Sequence, residues 1–104
     1  MSKLPKHYTE FLEKYPKIAE TYRALGDAVS SVGPLDTKTK ELIKLALAIG
    51  NRQEGGVHSH TRRALEAGAT KDEIRHTVLL SLTTIGFPNM MAALSWVEDV
   101  LEKD

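Results

Sequence analysis

The chain is predicted to be all-α, with five to six helices. Apolar residues recur at helical steps along most of the sequence, and cap and breaker residues fall where such segments should begin and end. No run of useful length alternates with the two-residue period of a strand. There is also no low-complexity tract or internal repeat.

A first segment, from about Pro5 to Tyr15, is polar along much of its length and is interrupted by Pro16. In the second, Ile18, Tyr22, Leu25 and Val29 fall at steps of 4, 3 and 4, and the helix should stop before Gly33-Pro34. Asp36 is the expected N-cap of a third helix, with Leu42, Leu45, Ala46 and Ile49 on one side, Ile43 and Leu47 on another, and Gly50 at its end. A fourth helix is expected after the Gly55-Gly56 break, carrying Val57, His60, Ala64 and Leu65, with Gly68 in the left-handed position beyond it. Thr70-Lys71-Asp72-Glu73 has the capping-box pattern that starts a fifth helix, striped by Ile74, Val78 and Leu82. Pro88 suits the first turn of a last helix with Met91, Leu94, Val97 and Leu101 inward.

Composition narrows the chemistry. With 104 residues the chain suits one core, so a single domain over 1–104 is expected. Lys+Arg and Asp+Glu balance at 14 each, leaving no net field for nucleic acid or an anionic membrane. No apolar run approaches the roughly 18 residues of a spanning helix. The opening Met1-Ser2-Lys3-Leu4-Pro5-Lys6-His7 has no secretory core, so a cytoplasmic location is expected. Cysteine is absent, which excludes disulfides, thiolate nucleophiles, iron–sulfur clusters and cysteine-based zinc sites.

Residues 42–49 contain one charge and residues 78–85 none. Helices apolar on more than one face need cover that so short a chain can scarcely supply from within, so a homo-oligomer is expected.

Chemistry-bearing residues gather around Gln53-Glu54-Gly55-Gly56-Val57-His58-Ser59-His60. Glu41 precedes Gln53 by 12 residues, Gly56 follows Gln53 by 3, and His60 follows by 4 more. If Glu41 and His60 meet, the carboxylate fixes the imidazole tautomer and leaves the other ring nitrogen for proton transfer. A structural Glu–His hydrogen bond is the plainer alternative. Gly55-Gly56 before a helix offers backbone N–H groups for a carboxylate, or is simply a turn. Arg52 can clamp a carboxylate or interact with the helix end. On a helix His58 and His60 point to nearly opposite sides and cannot share a metal, so no metal site is expected. His7 and His76 read as surface residues, and the Thr83 and Thr84 hydroxyls as returned to backbone carbonyls. A helix-turn-helix over Thr70–Ile85 is disfavoured, because its second half is too apolar for a DNA groove.

This spacing resembles the carboxymuconolactone decarboxylase and alkylhydroperoxidase D-like family. Further blocks carry the resemblance: Leu35-Asp36-x-Lys38-x-Lys40-Glu41-Leu42-Ile43, His60 through Thr70 with Asp72-Glu73-Ile74, and Gly86-Phe87-Pro88. It implies an alkylhydroperoxidase D-like helical fold over 35–101, preceded by an N-terminal helical segment, 1–34, and assembled as a homotrimer or homohexamer. In the peroxidase branch the positions of Gln53 and Gly56 are a Cys-x-x-Cys pair. Their absence here disfavours an alkylhydroperoxidase or peroxiredoxin-type antioxidant, because neither residue can attack peroxide or resolve a sulfenate. The decarboxylase branch implies cofactor-free loss of carbon dioxide from 4-carboxymuconolactone, with His60 as the acid and Glu41 orienting it. That branch resembles Arg-Glu-x-Glu-Leu-Arg-x-His, which Glu54 and His60 fit, whereas Gln53, Gly56 and His58 replace two arginines and an acid.

The expected function is therefore cofactor-free decarboxylation or proton transfer on a small unsaturated lactone or carboxylic acid. His60 and Glu41 would be catalytic, and Arg52, Glu54, Gly55, Gly56 and His58 would contact substrate. The alternative is a non-catalytic oligomeric protein that binds a small acid.

Overall fold

The computed structural model describes residues 4–103, all of whose regular structure is helical. The reading of Met1-Ser2-Lys3, and the two ends of the expected 1–104 domain, lie outside the described residues. Seven helical segments are present: α1 Lys6–Lys14, α2 Pro16–Ser30, α3 Thr37–Gly50, α4 Glu54–Glu66, α5 Lys71–Leu79, α6 Leu82–Ile85 and α7 Phe87–Leu101. They fall into two compact units, one ending at Pro34 and the other beginning at Leu35.

The first unit holds α1 and α2, which meet where Pro16 takes the opening turn of α2. Neither helix buries a residue, and the Ile18, Tyr22, Leu25 and Val29 stripe is exposed. Phe11 and Tyr15 stack with ring centroids 5.4 Å apart.

The second unit has a core. Leu45 and Ile49 of α3, Val57 and Ala64 of α4, Ile74 and Val78 of α5, and Met90, Ala93, Val97 and Leu101 of α7 form one buried cluster. Local chemistry sets the helix starts. Asp36 caps α3 by accepting the Thr39 N–H at 2.8 Å. Thr70 and Glu73 form the reciprocal capping box of α5, with bonds of 3.0 and 2.9 Å. The α4 end is a Schellman motif: Gly68 has φ 97°, its N–H bonds Leu65 O, and the Ala69 N–H bonds Ala64 O. Two ion pairs tie the helices outside the core, Lys38–Glu73 at 3.1 Å between α3 and α5, and Arg75–Glu98 at 2.7 Å between α5 and α7.

On the core-facing sides of α3, α5 and α7 the structure departs from the sequence expectation at three points. The helix after Thr70 breaks at Leu80-Ser81, where both the Ser81 N–H and its hydroxyl bond Val78 O, so Leu82 turns outward instead of extending the Ile74–Val78 stripe. Met90, not Met91, faces the core, because the buried face of α7 runs through Met90, Ala93, Val97, Val100 and Leu101. Ala46 is exposed, and only Leu45 and Ile49 of α3 are fully buried.

Gly86, which caps α7, has φ 94° and ψ 162°, a region essentially closed to residues with a Cβ. Gly50 is helical, with open space where a Cβ would go. Gly86→Ala is expected to lower unfolding free energy by about 1–3 kcal/mol and Gly50→Ala to raise it by about 0.4–1 kcal/mol, both checked by urea denaturation.

Three carboxylates are held below their ordinary range. The Thr39 N–H does so for Asp36, the Thr70 N–H and then Lys38 for Glu73, and the Arg75 guanidinium for Glu98. In the window between lowered folded values and ordinary unfolded values, the unfolded chain binds more protons, so stability rises with pH. Their contribution is complete above about pH 4–5 and is lost as pH falls through the folded values. Denaturation midpoints across the acid range should show this limb, and Glu98→Gln should flatten it.

Candidate functional site

The site is built on the α3–α4 hairpin. Its turn is a second Schellman motif: the Arg52 N–H bonds Ile49 O at 3.1 Å, and the Gln53 N–H bonds Ala48 O at 3.0 Å. Arg52 occupies the left-handed position at φ 54°, the one non-glycine residue with positive φ among those described. Gly50, expected to end α3, is its last residue. The chain turns two residues later, where the carbonyls of Ala48 and Ile49 find their partners.

Gly55 and Gly56 do not precede α4 but form part of its first turn, which begins at Glu54. Gly56 lets the helices approach closely, since a Cβ there would lie 3.2 Å from the Ala48 Cβ. The hairpin then runs back antiparallel, which brings Glu41, near the start of α3, opposite His60 in the middle of α4. His60 Nδ1 lies 2.9 Å from Glu41 Oε1, with side-chain exposures of 21% and 14%. A carboxylate only accepts, so the ring donates through Nδ1–H and Nε2 remains for another partner.

His60 lines an open cleft of about 330 Å³ with Lys44, Leu47, Ala48, Asn51, Gln53 and Gly56. Lys44 and Asn51 were missed by the sequence reading. The available signal was helical spacing, since Lys44 follows Glu41 by 3 on one helix face and is the lone charge in an apolar run. Gln53 and Gly56, where the resemblance places the peroxidase cysteines, both border His60 in this cleft. Of the expected substrate contacts, Arg52, Glu54, Gly55 and His58 do not line it. Glu54 at the α4 N-terminus also opposes an anion at those N–H groups. His58 turns away toward α7 and lies 3.0 Å from Asp99.

A second cleft, of about 190 Å³, lies among Ala46, Ile49, Gly50, Thr77, Leu80, Ser81, Thr84 and Ile85. The Thr77, Ser81 and Thr84 hydroxyls all donate to backbone carbonyls, so the cleft contains no titratable or unspent catalytic group. His7 and His76 are exposed, His7 beside Glu10 at 3.5 Å.

Fold and cleft define an all-helical protein with a Glu–His pair and no cysteine. The sequence model of the Carboxymuconolactone decarboxylase family matches residues 16–99, and the chain belongs to that family. The match begins at the start of α2, earlier than the resemblance read from residue 35. The chain is 40% identical over 63 residues to an uncharacterized protein of Haemophilus influenzae, covering 61% of this chain and 56% of that relative. It is 31% identical over 87 residues to an uncharacterized protein of Methanocaldococcus jannaschii, covering 83% and 84%. Its structure is similar to the apo crystal structure of a carboxymuconolactone decarboxylase family protein from Legionella pneumophila, with TM-score 0.78, 29% identity, and coverage of 92% and 86%.

If Arg52 serves the backbone turn rather than a ligand, Arg52→Gly relieves its left-handed strain. Unfolding free energy should rise by up to about 1 kcal/mol, with ligand binding at the His60 cleft unchanged, as measured by denaturation and calorimetric titration.

Proposed function

We propose that this protein is a cysteine-free acid–base catalyst acting on a small unsaturated lactone or carboxylic acid. The observation that carries this reading is the 2.9 Å hydrogen bond between His60 Nδ1 and Glu41 Oε1 at the edge of a cleft containing Lys44. In decarboxylation the bond to the departing carboxylate breaks, and its electron pair moves into the conjugated lactone. Charge builds on the lactone carbonyl oxygen, where the Lys44 ammonium stabilises it. His60 in its imidazolium form then delivers a proton from Nε2 to carbon, while Glu41 stabilises the imidazolium and holds the ring. No thiol or bound cofactor enters these steps.

The reading includes a homo-oligomer, trimer or hexamer as the resemblance implies. In the second unit Leu47, Leu79, Leu80 and Phe87 are each at least half exposed, which supports burial between copies. Among the described residues no helix is long and apolar enough to cross a membrane.

The competing reading, a non-catalytic oligomer that binds a small acid, is favoured by the replacement of two arginines and an acid at Gln53, His58 and Gly56. One experiment separates the two: unsaturated lactone acids are screened for carbon dioxide release and for thermal stabilisation. Catalysis predicts both, with His60→Gln losing about 100-fold or more in turnover and Lys44→Met lowering kcat. Binding alone predicts stabilisation without release, and turnover that persists in His60→Gln contradicts the assigned acid.

A further inference from the structure

We infer that Glu54, His58 and Asp99 form a divalent transition-metal site that clips the start of α4 to the end of α7. One ligand atom from each of the three side chains lies within 4.8 Å of the others, and His58 Nε2 is 3.0 Å from Asp99 Oδ2. Ligand atoms around one ion at about 2.0–2.2 Å stand roughly 3 Å apart, so this pair already has the separation of adjacent ligands. The Glu54 carboxylate completes the set, with an oxygen within 4.8 Å of the other two ligand atoms.

The backbone that carries them is fixed. Glu54 and His58 are one turn apart on the same face of α4. Their neighbours in sequence, Val57 and Val100, are buried beneath them at 0% and 3% exposure, so α4 and α7 hold the ligands from a packed base. The charge balance also points to a cation. Two carboxylates converge on one imidazole, which leaves the cluster net negative in either protonation state of the ring. The inter-helix ion pairs of Lys38 and Arg75 are made elsewhere, to Glu73 and Glu98. One imidazole nitrogen with two carboxylates suits zinc or manganese better than calcium, which takes oxygen ligands throughout. Three protein ligands leave further positions to water.

The sequence predicts no metal here because its His-x-His pair splits across α4. What changes this is Asp99, 41 residues beyond His58. His60 faces the Glu41 cleft from another side of the helix, so the metal site does not rest on the proposed catalysis.

The test is calorimetric titration of tag-free, EDTA-treated full-length protein with zinc chloride, and separately with manganese and calcium chloride. One zinc per chain is expected, with a raised thermal midpoint on binding. His58→Ala should weaken binding at least about 10-fold, Asp99→Asn should weaken it likewise, and His60→Ala should leave it intact. Circular dichroism confirms that each variant is folded, and His58→Gln replaces His58→Ala if the latter is not. Wild type and His58 variants binding zinc equally would overturn the site, as would no zinc binding by the wild type. Loss in His60→Ala but not in the His58 variants would also overturn it. Calcium bound more tightly than zinc would overturn the ion class.

Discussion

The close approach of α3 and α4 is the constraint on which the candidate site depends. Two features set it: the Schellman turn, which takes Arg52 into the left-handed region, and the missing Cβ at Gly56 beside Ala48. Leu45 and Val57, both fully buried, pack beneath the pair. With the hairpin closed, Glu41 and His60 meet at hydrogen-bond distance near the edge of water. A side chain at position 56 would press on Ala48, and the two helices would have to give by a few tenths of an ångström to admit it.

The same closure bears on the chemistry. A redox pair at positions 53 and 56 requires a side chain at 56, where a Cβ would already stand 3.2 Å from Ala48. The chain has Gln53 and a tightly packed glycine at those positions, and the imidazole, with its carboxylate partner, stands beside the space the two residues border. The chemical resources of the cleft are therefore a tethered imidazole, an ammonium from Lys44 and two amide side chains, Asn51 and Gln53. Such groups can position an anion and move a proton.

Much of the fold was legible because its signals are local. Asp36, the Thr70–Glu73 capping box and Gly68 each satisfy backbone groups within a few residues, and each acts in the structure as its pattern suggests. Features set by tertiary contact were not legible. Gly50 read as a stop and does end α3, but the left-handed position of the turn falls two residues later, on Arg52, which carries no local signal for it. Gly55-Gly56 read as a break because glycine is a poor helix former, yet close packing against Ala48 draws Gly56 into the helix. The end of α5 and the choice of Met90 over Met91 depend on which face α7 presents to the core. In the site, the Glu41–His60 spacing pointed to a pair that does meet. Lys44 escaped notice because an isolated lysine in an apolar helix looks like a solvated charge, and Asp99 because its partner is distant in sequence.

The chemistry proposed for the cleft requires that Glu41 fix the His60 ring with Nδ1 protonated and Nε2 free to exchange a proton. Long-range nitrogen–proton correlation spectra of histidine-labelled protein, taken at about pH 8.5 where an ordinary imidazole is neutral, distinguish the two tautomers directly. The Nδ1–H form is expected for His60 in the wild type, and its loss in Glu41→Leu, which leaves no acceptor opposite Nδ1. A dominant Nε2–H form in the wild type, or a spectrum unchanged by Glu41→Leu, would contradict that assignment.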